Sequence, residues 1–290
     1  MITAHPGPPS LHSGWSFPPS IVLPLLALGM WYGAGIMKMN RVSPARWRRA
    51  AAFAAGWLTL VAALLSPLHA AGEALLSAHM VQHMLLILVA APLLVASRPL
   101  VPSLWAVPPG VRRRSAAWAE IAQPVWRALT VPAVAFALHN AALLFWHLPG
   151  PYNRAASSET VHAIQHLCFF GTAVLFWWGV AYRFGSRQAG SALVYVALTS
   201  VITGAIGMVL TFAPRPLYSP YSVSDVPGFS PLEDQQLAGL IMWIPGGLGY
   251  LFAALALAAR WLIESDRRAS RRESAAASWL RSGLSRTLKS

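Results

Sequence analysis

The sequence predicts an all-α membrane protein, a seven-transmembrane-helix bundle with its N-terminus outside and its C-terminus cytoplasmic. Three observations predict it. The chain of 290 residues is 56% hydrophobic and only 11% charged, with a mean hydropathy of +0.51, outside the range of ordinary soluble domains. Seven apolar runs read as bilayer-crossing helices. Of the 22 Lys and Arg residues, all but Arg154 and Arg215 fall in alternate connections, at the span ends beside them, or in the C-terminal tail. Basic loops stay cytoplasmic, so this asymmetry sets the orientation.

The elements follow in order. Residues 1–16 are an exported tail with His5 and His12 but no Lys or Arg, so they lack the basic start of a cleaved signal peptide. Span 1 covers 17–37, span 2 covers 50–65 and span 3 covers 74–96; the inner connection 97–123 leads to span 4 at 125–146. Span 5 at 160–182 and span 6 at 190–212 precede an external loop rich in Gly, Pro and Ser, and span 7 lies at 237–262. Ser230, Pro231 and Glu233 before it form a helix start with a capping box. The membrane domain therefore covers 17–263 and a basic cytoplasmic tail covers 264–290. In the tail, Trp279, Leu280, Leu284 and Leu288 make the apolar stripe of an interfacial helix, with disorder as the alternative.

The net charge of +13 does not indicate a nucleic-acid partner. The basic residues sit where topology requires them, and they suit anionic lipids at the inner face. Outside, Glu73, Glu159, Asp225, Glu233 and Asp234 face only two Arg, which favours cations at the outer mouth.

Chemistry is concentrated in two short patterns, SAHMVQHM with His79 and His83, and SETVHAIQH with His162 and His166. Imidazoles four residues apart project from one side of a helix. Ionisable residues inside spans are costly, so two such pairs point to a metal or cofactor. Counted at about 1.5 Å per residue from the outer span ends, His79 and His83 lie roughly 8 and 14 Å deep, His162 and His166 roughly 4 and 10 Å, His139 about 12 Å and Met242 about 9 Å. His147 stands at the rim of span 4. The metal candidates are thus His79, His83, His162, His166 and His139, with His69, His147, Met242, Asp234, Met80 and Met84 as a second tier.

Several of these residues have structural alternatives. His69 and His147 suit interfacial hydrogen bonding, Met80 and Met84 point about 100° away from the neighbouring histidines, and Asp234 suits a positive helix end. Gln235, Gly239, Met242 and Gly246 form a helix-packing stripe, and Cys168 is a small apolar filler. Spans 3 and 5 also repeat one another. Each follows a turn containing proline, Pro67 or Pro149, and each reads His-x-aliphatic-Gln-His.

Three blocks, SPLHAAGEALLSAHMVQHM, FWHLPGPYN with SETVHAIQH, and DQQLAGLIMWIPGG, resemble signatures of the bacterial CtaG-type (caa3-type) cytochrome c oxidase assembly factors. The resemblance spans most of the chain. It implies a bacterial plasma-membrane protein, not an enzyme, that matures haem-copper oxidase by handling copper at the outer side. Cytochrome c oxidase subunits are the implied partners, with an extracytoplasmic copper donor. Where the family pattern has an acid after SPL, this chain has His69, which removes a carboxylate there and adds an imidazole.

Imidazole suits copper, zinc and iron, and nearby thioethers shift the preference to Cu(I). The zinc-protease pattern His-Glu-x-x-His is absent, because Met80 and Ala163 stand where Glu is needed. Three classes remain open: a copper-passing assembly factor, a membrane redox protein with haem held by His83 and His166, and a copper transporter. Two histidines of one helix cannot take opposite faces of one haem, and a transporter needs polar steps through the inner half, where spans 3 and 5 are apolar.

Overall fold

A computed structural model describes residues 14–39, 43–183, 189–221 and 229–287. Residues 1–13, Asp225, and the side chains of Trp279, Leu280, Leu284 and Leu288 lie outside what is described. The elements are α1 (Pro19–Lys38), α2 (Pro44–Leu65), α3 (Pro67–Ala74), α4 (Leu76–Met84), α5 (Ala91–Ser97), α6 (Leu100–Ala106), α7 (Pro109–Leu129), α8 (Pro132–Trp146), α9 (Pro149–Ala156), α10 (Glu159–Trp178), α11 (Ala189–Phe212) and α12 (Pro231–Thr287). Proline opens α1, α2, α3, α7, α8, α9 and α12, where its missing N–H costs nothing and its fixed φ suits the first turn.

Six helices are long and apolar enough to cross a membrane, and a bent pair makes the seventh. Among the described residues no strand occurs. The bent pair is span 4, which the sequence presents as one straight run. In the structure Glu120–Leu129 and Pro132–Trp146 meet at 69°. The cause is Pro132, which drives Val131 out of the helical region to φ −58 and ψ 127. Thr130 closes the upstream helix by donating its hydroxyl to Trp126 O, and Arg183, at the end of the π-helical stretch that follows α10, donates to the same hydroxyl oxygen.

Spans 3 and 5 share a design. Each histidine helix follows an eight-residue helix opened by proline, α3 before α4 and α9 before α10. Each also ends in a π-helical stretch, Leu85–Ala90 in one and Gly179–Arg183 in the other. The two spans are joined by aromatic donors. Trp177 Nε1 donates to Ile87 O at 2.8 Å and Tyr182 OH to Val95 O at 2.9 Å, which satisfies polar aromatic tips inside an apolar layer.

The glycine stripe of span 7 packs as its spacing predicts. A Cβ on Gly239 would collide with the Gly207 carbonyl and the Thr211 hydroxyl of α11, so the two backbones touch. Helix α12 starts with the expected capping box: Ser230 N and Oγ donate to Glu233 Oε2 at 2.8 and 2.7 Å. It then runs unbroken to Thr287, so the tail continues span 7 as helix.

Candidate metal centre

Helix α4 and the N-terminal part of α10 bring both histidine pairs to one place. One ligand atom from each of His79, His162 and His166 lies within 4.8 Å of the others. His83 adjoins this group, its ring centre 4.2 Å from that of His79 and 5.1 Å from that of His166. His69 stands at the outer edge, 5.9 Å from His162, and His147 at the inner edge, 6.3 Å from His83. Six of the nine histidines therefore share one cluster.

The helix that carries His79 and His83 is fixed from outside its own sequence. Its N-cap, Leu75, offers no side-chain acceptor, yet the helix start is buried. Asp234 of α12 supplies the acceptors: Leu76 N donates to Oδ2 at 2.6 Å and Ser77 N to Oδ1 at 3.0 Å. A carboxylate at a buried helix start satisfies orphan donors and opposes the helix dipole. Both Asp234 oxygens are thus occupied by backbone amides. Next to it, Gln235 accepts from Leu217 N and donates to Leu210 O, tying the 213–221 segment to the bundle.

Three tyrosines cover the cluster. The Tyr152 ring lies 5.7 Å from His79 and 6.4 Å from His147, and it stacks on Tyr218 at 3.9 Å. Tyr221 OH donates to Gly72 O, and Tyr218 OH to the His147 carbonyl. Burial raises the pKa of all three phenols, so they stay neutral. Gly72 permits this closeness, because a Cβ there would sit 3.3 Å from His79 Cα.

His139 does not join the cluster. Its Nδ1 lies 3.1 Å from the Thr172 hydroxyl and its ring stacks 5.3 Å from Phe176. Thr172 is six residues beyond His166 on α10, about 9 Å further along the helix. The span ends do not share one surface: α9 folds over the end of α8, with Tyr152 against His147, so α8 starts lower than its neighbours. Met80, Met84 and Met242 are buried in the apolar core, and the Met84 sulfur faces Gly246 of α12.

The unpaired atoms of the donor set suit a metal. Both ring nitrogens of His79 and of His83, and Nε2 of His147, His162 and His166, are buried with no hydrogen-bond partner. Leaving such an atom unsatisfied costs about 1–3 kcal/mol, and a shared cation removes that cost for the one nitrogen that each ligating ring offers it. The residues fit.

A family model described as "Cytochrome c oxidase caa3 assembly factor (Caa3_CtaG)" matches residues 30–264. The chain belongs to this family. It is therefore a cytochrome c oxidase assembly factor, and its apolar helices make it a multi-pass plasma-membrane protein. No curated protein and no solved structure matches. The matched range contains every histidine of the cluster, together with Asp234 and Tyr152. The spacing alone did not single out Gln82, Tyr152 or Tyr221. Gln82 had a signal, since a Gln precedes the second His in both pairs.

Proposed function

We propose that this assembly factor holds one copper ion on His79, His162 and His166, with His83 beside them, and passes it to a cytochrome c oxidase subunit. The observation that carries the reading is the convergence of three imidazoles from two spans within 4.8 Å. Oxidase maturation needs a metal delivered at a membrane surface, and these residues can bind one without a thiol. The charge distribution of the loops supports an exported site, a cytoplasmic C-terminus and anionic lipid at the basic face. An extracytoplasmic donor loads the protein in this reading.

The ligand set favours the cuprous ion. It contains no carboxylate and no thiolate, so a divalent ion such as zinc would bring its full double charge into a poorly solvating site. Haem fits less well, because the His83 and His166 rings lie edge to face at 5.1 Å with no slot for a macrocycle between them. A transport path also lacks support. Below the cluster, the inward face of α10 continues as Phe169, Ala173, Phe176 and Trp177, all buried and apolar.

Metal analysis of the detergent-purified protein after loading with Cu(I) under ascorbate tests the reading. The wild type is expected to retain one copper per chain, and His162→Ala and His166→Ala less than a tenth of that. Cells carrying either variant should assemble oxidase poor in copper while the protein remains inserted. Undiminished copper in both variants would overturn the assignment, and a Soret band in the wild type would replace it with haem.

A further inference from the structure

The apolar interior falls into two clusters. One joins α1 and α2 to Leu86, Ala90 and Leu94 of span 3, and the other runs from α4 through α8 and α10 to α12. Where the first cluster meets α7 and α10 there is a cavity of about 630 Å³, walled by Phe53, Phe170 and Trp178, with Gln123 the one polar residue among its described lining. Pro99 and Gln123, from the two ends of the inner connection, both line it, so it opens in the cytoplasmic half. Pockets of about 300–1,000 Å³ hold small apolar molecules, and apolar walls exclude water. Hydrocarbon is the matching occupant.

Arg98 stands at the cytoplasmic rim of this cavity. Its Cζ lies 4.7 Å over the Tyr182 ring, and Tyr182 packs 4.7 Å from Trp178 in the wall. Val95, another wall residue, accepts from Tyr182 OH and from Arg98 N, and Pro99 follows Arg98 directly into the lining. Arg98 is exposed, with φ 51 and ψ 58, the one positive-φ non-glycine residue among those described. A helix end of this shape usually carries glycine, because a Cβ there is strained. Strain of this kind gathers at ligand sites, so the arginine side chain has a use that offsets it. The rim is basic on its other side too: Arg183 donates to Thr130 Oγ1 and to the Arg127 carbonyl, and Trp126 beside Arg127 lines the cavity. Against these cations, Glu120 is the one carboxylate of the inner connections before the tail.

We infer that this cavity holds an acyl chain of one anionic phospholipid of the cytoplasmic leaflet, with the lipid phosphate on the Arg98 guanidinium. This rests on the reading above that anionic lipid lies at the basic face, and it is independent of copper. A guanidinium meets a phosphate with two parallel N–H donors, whereas a zwitterionic headgroup brings a cation that the arginines repel. The chain fills the seam between the two clusters, so the lipid joins α1 and α2 to α7 and α10 as a structural part of the bundle.

Native mass spectrometry tests this. The full-length protein, delipidated in detergent, is titrated with dioleoyl phosphatidylglycerol or with dioleoyl phosphatidylcholine, which has the same chains and a zwitterionic head. The wild type should bind one phosphatidylglycerol at least tenfold more tightly than phosphatidylcholine. Arg98→Gly, in which glycine suits the left-handed backbone, should erase that preference and leave phosphatidylcholine binding as it was. Ala122→Trp, which fills the cavity from α7, should weaken both lipids at least tenfold. Circular dichroism confirms folding, and if one variant fails to fold the other carries the test. A preference that survives Arg98→Gly, or undiminished binding in Ala122→Trp, would overturn the site and leave the general attraction of the basic face standing. No preference in the wild type would overturn both. Excess inorganic phosphate should leave the lipid bound; displacement would overturn the lipid as the partner of Arg98 in favour of a free anion.

Discussion

His139 of α8 and His147 just past its end lie two turns apart, both are buried, and each Nδ1 sits on an oxygen, yet they face different surroundings. His147 looks onto His83 across Phe169, while His139 looks onto Thr172 and Phe176. A buried imidazole with a free nitrogen is therefore not a ligand by itself. What separates the two is the level of the bundle: the upper level brings side chains from α4, α9 and α10 together, and the lower level fills the same interhelical space with Phe, Trp and Ala. Clustered imidazoles and apolar packing are divided between the two levels of one set of helices.

The largest test of this division is Phe176→Ala. It should lower stability by about 3 kcal/mol through the cavity it leaves, read as a fall in detergent melting temperature, while copper affinity of the folded protein stays unchanged. Asp234→Ala should break the division, since the residue caps the ligand helix from another span. We expect a loss of about 2 kcal/mol from two orphaned amides and a parallel fall in copper affinity. A change in only one of the two would mean that the cap does not position the ligands.

Acid should act on the upper level alone. Imidazole nitrogens ligate only when deprotonated, and burial disfavours the charged ring, so affinity holds through the ordinary imidazole range near pH 6.5 and is lost at lower pH. Less than a threefold change between pH 7.5 and 5.5, measured by chelator competition, is expected; a tenfold loss already at pH 5.5 would mean that the ligand rings are open to solvent. The smallest effect is that of His139→Ala. It should cost about 1 kcal/mol for the lost bond to Thr172 and leave copper stoichiometry intact, which dialysis and metal analysis can establish.

The sequence made the spans and the two histidine pairs legible because both are local patterns: apolar length in one case and four-residue helical spacing in the other. It also showed the repeat and the capping box of Glu233. His139 was misplaced because depth counted along a helix says nothing about which way the side chain faces or whether α9 displaces the end of α8. Asp234 could be read as a helix-end residue, but nothing local reveals that the helix start it serves is the one at Leu76, 158 positions away. The bend in span 4 was available from Pro132, but hydropathy continues across it.

The carboxylate of Asp234 has a consequence for biosynthesis. Every clustered histidine precedes it in the chain, so a ribosome has delivered all the metal-capable groups before the last helix is made. Until that helix inserts, the amides of Leu76 and Ser77 have no acceptor, and the turn holding His79 is free to fray. A nascent protein stopped before Pro231 should therefore bind cuprous ion weakly although it lacks none of the ligands, and assembly of the bundle would thereby precede capture of its cargo.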